Sequence, residues 1–196
     1  LAGPFCTALL ADLGATIVKV ESIKGGDITR AWPPFENEHS LYFESINRGK
    51  SSIALDFYSA DGQALLRDMA LKSDVIVENF RSGVMSEMGL DPDELRAAKP
   101  ELVVASISGF GEVGPLAQSA GLDQVAQAMS GLMSVTGEPG RPPAKAGIPV
   151  VLTSAERAGD AGADQWNVAH GVFLCGWFLV CCIFTYSNYR TYSFQS

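Results

Sequence analysis

"SSIALDFYSADGQALLRDMALKSDVIVEN", residues 51–79, changes its period twice, and those changes decide the fold. "SSIALD" and "DVIVEN" have the branched, apolar character of strands. Between them, "SADGQALLRDMALKS" places Leu65, Leu66, Met69 and Ala70 on one helical face. The alternation extends in both directions. Upstream, "GPFCTALLADLG" reads as a helix closed by Gly14 and "ATIVKVE" as the strand after it. Downstream, "DPDELRAAKP" offers Asp91 as N-cap, Pro92 at the first helical position and Glu94 three residues after the cap, and stops at Pro100. "ELVVASIS" is a further strand and "LDQVAQAMSGLMSVTG" a further helix. Strands that alternate with helices pair in parallel through right-handed crossovers. The expected class is therefore α/β, a parallel sheet with helices on both faces.

Ligands of such sheets sit outside the carboxyl ends of the strands. Those ends carry "ESIKGGDITR", "ALDFYS", "ENFRSG" and "SGFGEVGP", a shared mix of Gly, Asn and Arg. The last spells G-x-G-x-x-G with Gly109, Gly111 and Gly114. A dinucleotide fingerprint also needs a helix opening on the last glycine and an acidic residue about 20 positions on. Pro115 follows instead, and the later region reads "MSVTGEPGRPP", a turn, so the dinucleotide reading fails. The glycines then serve tight turns or close backbone approach.

The 196 residues, 47% hydrophobic and 18% charged, suffice for one core, as one domain or part of a larger one. A net charge of −8 argues against nucleic acid, which needs a basic face. An anionic ligand must meet a local cluster of cations. Arg30, Arg48, Lys50 and Arg81 lie near strand ends or in glycine-containing loops, where charge-assisted bonds to phosphate gain strength; for any single one of them a solvated loop charge is the favoured reading. Cys6, Cys175, Cys181 and Cys182 lack C-x-x-C spacing, and His39 and His170 stand apart, so no metal site is expected and a reducing compartment is. No G-x-S-x-G elbow is present, and "AMSGLMSV" reads as core packing. The start on Leu1, within an apolar segment, reads as truncated.

After residue 150 the pattern is lost. An Ala/Gly/Asp stretch leads to an apolar run, Val172 to Phe184, shorter than the about 20 residues of a membrane helix. A buried segment, a weak anchor and a tail outside the fold are all open readings. The tail is the expectation, and a membrane is not an expected partner.

Seven blocks in order, "LAGPFCTALLADLGATIVKVE", "GGDITRAW", "SLYFESINRGKSSIALD", "DVIVENFRSGVMSEMGL", "PELVVASISGFGEVGP", "AGLDQVAQAMSGLMSVTG" and "PPAKAGIPV", resemble the N-terminal half of class III CoA-transferases, the formyl-CoA transferase and carnitine CoA-transferase group. The resemblance implies that residues 1–150 are a Rossmann-like large-domain fragment and that 151–196 are an atypical tail. It implies a longer complete chain with a small domain, and a homodimer of interlocked subunits. The substrates would be an acyl-CoA and a small carboxylic acid, with no tightly bound cofactor. A cytoplasmic location is implied, or the mitochondrial matrix or peroxisome in a eukaryote. CoA would be held by Ala2, Gly3 and Pro4, by the turn Asp56, Phe57, Tyr58, and by Asn79, Phe80 and Arg81, with Arg30 and Lys50 as further cations.

The implied mechanism is covalent. An aspartate attacks the donor thioester to give a mixed anhydride, and the CoA thiolate attacks that to give an aspartyl-CoA thioester. The acceptor carboxylate then takes the CoA through a second anhydride. In the family that aspartate falls in the segment after "AGIPV", at position 152, where this chain has Leu152; Asp160 and Asp164 lie too far on. The expectation is a fragment without a catalytic residue, inactive or a noncatalytic CoA-binding remnant or partner subunit. The α-methylacyl-CoA racemases share the fold but carry a histidine base where this chain has Leu122, so transferase outranks racemase.

Overall fold

The computed structural model describes residues 1–149 and the backbone of 179–183. In chain order it contains α1 (Ala2–Asp12), β1 (Thr16–Ser22), a 3-10 turn (Ile28–Ala31), β2 (Phe35–Glu36), β3 (His39–Ser40), α2 (Leu41–Asn47) and β4 (Lys50–Leu55). There follow α3 (Ala60–Lys72), β5 (Val75–Glu78), α4 (Val84–Glu87), α5 (Pro92–Ala98), β6 (Val103–Ser106), α6 (Asp123–Met129), a second 3-10 turn (Leu132–Val135) and β7 (Leu179–Ile183).

The main sheet has the order β4-β1-β7-β5-β6, and every pairing is parallel. Ile17 is opposite Lys50 and Ser22 opposite Leu55, while Val75 is opposite Val103 and Glu78 opposite Ser106. Parallel pairing puts all the carboxyl ends on one edge. The order also joins two strand pairs through β7, a segment within the apolar run Val172 to Phe184. For those five residues the backbone pairs within the sheet, between β1 and β5. The rest of the stretch from residue 150 on, with Leu152, Asp160 and Asp164, lies outside the described residues.

Local sequence explains the helices. Ser59 caps α3 by accepting the Gly62 N–H at 3.1 Å, and Asp91 caps α5 by accepting those of Asp93 and Glu94 at 3.0 and 3.2 Å. Strand alternation then sorts the core onto two faces. Ile76 and Val20 pack with Leu66, Ala70 and Leu95 beneath α3 and α5, whereas Ile17, Val75 and Val77 pack against Leu10 and Ala11 of α1. Each fully buried aliphatic side chain contributes roughly 1.5–3 kcal/mol.

Three features differ from the sequence expectation. The helix expected from Leu122 onward ends at Met129, because Gly131 adopts φ +81°, a left-handed conformation that stops the helix and leaves a 3-10 turn. Leu65 is exposed although Leu66 and Ala70 of the same helix are buried. The β2–β3 hairpin turns through Asn37 (φ 47°) and Glu38 (φ 66°), and α2 follows at once with Ser40 accepting the Phe43 N–H at 3.1 Å. A two-residue turn with both φ positive usually carries glycine, and its absence hides the hairpin from a sequence reading.

Candidate functional site at the carboxyl edge of the sheet

The first loop of this edge follows β1 and is organised around a carboxylate. Glu21, 3% exposed at its side chain, accepts Arg30 Nε and Nη2 at 2.8 Å each, Ser52 Oγ at 2.7 Å and the Asp27 N–H at 2.9 Å. Burial alone would raise its pKa, but those donors and the Arg30 charge outweigh burial and hold it at about 2. Beside it, Lys19 Nζ meets Asp27 Oδ2 at 2.6 Å, and Asp27 Oδ1 accepts the amide and hydroxyl of Thr29. Burial raises the Asp27 carboxyl as well, and Lys19 overrides it to leave the group below its usual range. The Arg30 guanidinium lies 3.9 Å over the Phe43 ring.

Arg30, expected as a ligand cation, is thus committed to Glu21 and Phe43. Lys50 is a correction of another kind. It begins β4 opposite Ile17, at the sheet end remote from Asp56, so it does not lie on the carboxyl edge. Its ammonium donates to Pro4 O at 2.7 Å, Ile46 O at 2.8 Å and Asn47 Oδ1 at 3.1 Å. An ammonium has three N–H donors, and each has an acceptor. Ala2, Gly3 and Pro4 form the buried first turn of α1, with Thr7 Oγ1 donating to the Gly3 and Pro4 carbonyls. Arg48 pairs with Asp12 on the surface.

The turn after β4 splits its three candidates. Asp56 Oδ1 accepts the Tyr58 N–H at 3.1 Å, and Tyr58 is 61% exposed. Phe57, 1% exposed, belongs to the core with Leu55 and Leu66, so its ring offers nothing to a ligand.

The turn after β5 is built differently. Asn79 Nδ2 donates to Ile107 O, and Ile107 N–H donates to Glu78 O at 2.9 Å, which ties this turn to the loop after β6. Phe80 packs against the core while its N–H donates to Glu78 Oε2 at 2.7 Å. Arg81 is exposed, and its guanidinium has no hydrogen bond or ion pair among the described residues. Of Arg30, Lys50 and Arg81, it is the one whose guanidinium or ammonium has no acceptor among the described residues; Arg30 spends two of its five N–H donors on Glu21. Burial pushes the Glu78 carboxyl above its usual range, aided by Glu112 and opposed by bonds from Ser106 and Phe80.

The loop after β6 explains one fingerprint glycine. A β-carbon at Gly109 would lie 2.2 Å from Gly121 Cα, so the loop closes on itself through a backbone contact that only glycine permits. Beyond it, Leu122 precedes α6, and buried Gln127 accepts the Ala146 N–H at 2.8 Å and donates to Asp123, holding the segment that runs on toward Leu152. No group of three or more His, Cys, Asp or Glu among the described residues could hold a metal. No described helix is long and apolar enough to cross a membrane.

Sequence reading missed Lys19, Glu21, Asp27, Glu78 and Gln127. A signal existed for two of them: Lys19 and Glu21 alternate on one face of a strand otherwise apolar, a pattern that calls for buried partners.

The sequence model of CoA-transferase family III matches residues 1–156. A succinate–glutarate CoA-transferase from Agrobacterium fabrum is 47% identical over 157 residues, covering 76% of this chain and 39% of its own length. A succinyl-CoA:glutarate CoA-transferase from Mus musculus is 45% identical over 149 residues, covering 76% and 34%. A CAIB/BAIF family protein from Brucella suis superposes with a TM-score of 0.74 at 37% identity, over 92% of this chain and 48% of that one. The chain therefore spans about a third to a half of the length of these relatives.

Proposed function

The chain belongs to CoA-transferase family III, and from that premise we propose that the carboxyl edge of its sheet is a CoA site. The observation that carries this reading is Arg81, an exposed guanidinium on the turn after β5 with no hydrogen bond or ion pair among the described residues. Its fork suits a phosphate or diphosphate oxygen pair. Asp56 and Tyr58 supply the neighbouring turn. β4 and β5 stand three positions apart in the sheet, so about 14 Å separates the two turns, a span for an extended ligand. Arg30 acts as framework for the loop after β1, and Lys50 ties the first turn of α1 to α2.

In the complete fold the reaction is transfer of CoA from an acyl-CoA donor to a carboxylic acid acceptor through an aspartyl-CoA thioester, in an interlocked homodimer of cytoplasmic, mitochondrial or peroxisomal location. With Leu152 in place of the nucleophile, this chain binds CoA without turning it over. An alkyl side chain cannot attack a thioester. The same substitution favours a second reading, a noncatalytic CoA-binding partner subunit. Leu122 at the start of α6 leaves no base for a racemase.

Calorimetric titration of the chain with CoA and with NAD tests the ligand class, and an assay of CoA exchange tests the chemistry. The expected result is heat with CoA, weaker or no heat with NAD, and no exchange above a no-enzyme control. Tighter binding of NAD would overturn the site; exchange would overturn the noncatalytic assignment.

A further inference from the structure

β5 reads Val75, Ile76, Val77, Glu78, and all four residues are buried. A carboxyl group in such a strand is costly, because nothing apolar replaces the water it loses. What offsets that cost lies on one side. The Glu78 carboxyl accepts the Phe80 N–H at 2.7 Å and a bond from the Ser106 hydroxyl, directly opposite it on β6. Its own carbonyl accepts the Ile107 N–H. One residue therefore touches the end of β5, the end of β6 and the turn that bears Arg81.

We infer that Glu78 is a positioning residue for the ligand turn, fixing the backbone of residues 79–81 through the Phe80 amide and locking it to β6 through Ser106. The inference rests on the reading of this edge as a CoA site and names the group that holds its exposed cation in place. Glu78 acts on the ligand through the turn and makes no contact with it. A hydrogen bond from a main-chain amide to a side chain within the same turn removes the freedom that an exposed arginine would otherwise bring.

Two substitutions separate positioning from charge. Glu78→Leu removes the acceptor. Glu78→Gln keeps an oxygen for the Phe80 N–H and removes only the charge. The expected result is that Glu78→Leu weakens CoA binding roughly ten-fold and speeds exchange of the Phe80 amide, while Glu78→Gln stays within about two-fold of the parent in both. Ser106→Ala, which removes the second tether, shifts both readouts in the direction of Glu78→Leu and serves if that variant does not fold. Unchanged Phe80 exchange in Glu78→Leu, or in Ser106→Ala where the former is unfolded, overturns the inference. So does a Glu78→Gln variant as impaired as Glu78→Leu, since charge would then be what matters. If the parent chain shows no CoA binding, the reading of the site fails, while amide exchange still decides whether Glu78 holds the turn.

Discussion

The ends of β1 and β5 lie on the same edge of the sheet and use charge in opposite ways. At the end of β1, Glu21 gathers four hydrogen bonds, two of them from Arg30, and Lys19 closes on Asp27, so both of these cations are ion-paired within the fold. At the end of β5, the carboxyl of Glu78 accepts from the main chain, and Arg81 remains exposed with its donors unused among the described residues. Proximity to a strand end is thus a poor criterion for a ligand cation. What matters is how many donors the fold has left over.

The comparison is broken most severely by removing Glu21. Glu21→Ala leaves Arg30, Ser52 Oγ and the Asp27 amide without their acceptor and is expected to cost about 3–5 kcal/mol, read as a lowered melting temperature. The same network sets an acid limit. The Glu21 carboxyl, near 4.5 in the unfolded chain, is held at about 2 in the fold, so its contribution is complete above the unfolded value and is lost as pH falls toward about 2. Melts recorded from pH 6 down to pH 2 should lose part of this acid slope in Glu21→Gln. An unchanged slope would show the network to carry no stability.

An intermediate effect is expected on the other side of the edge. Gly109→Ala puts a methyl group 2.2 Å from Gly121 Cα, and main-chain atoms there cannot swing aside as a side chain would. The loop must open, at a cost of about 1–3 kcal/mol. Faster amide exchange confined to the loop after β6, with β1 and β4 protected as before, would confirm that the two regions are held independently. A melting temperature equal to the parent's would contradict the close contact.

Strands and capped helices were legible because their causes are local. Period two, period 3.6 and the Asp91–Pro92–Glu94 cap are each contained within a few residues. The β2–β3 hairpin was not legible, since Asn37 and Glu38 adopt positive φ without glycine. Neither was the insertion of β7 between β1 and β5, which depends on pairing across more than a hundred residues. In the site, the location of "ENFRSG" could be read, but the commitments of the cations could not. Arg30 reaches back nine residues to Glu21, and Lys50 reaches Pro4 forty-six residues away. Those bonds exist only once β1, β4 and α1 are packed, and the register that sends Lys50 to the opposite sheet end is likewise a tertiary fact.

The smallest effect on stability and the most direct bearing on function fall on Arg81. An exposed side chain with no hydrogen bond or ion pair among the described residues should change stability by less than about 0.5 kcal/mol when replaced by alanine. A phosphate contact from it is worth roughly 1–3 kcal/mol, about ten-fold in affinity or more. Calorimetric titration of CoA into the parent chain and into Arg81→Ala, with melting curves of both, therefore tests whether the leftover cation is the one that meets the ligand. Matching melts with CoA binding weakened about ten-fold are expected. Matching melts with unchanged CoA affinity would contradict the account.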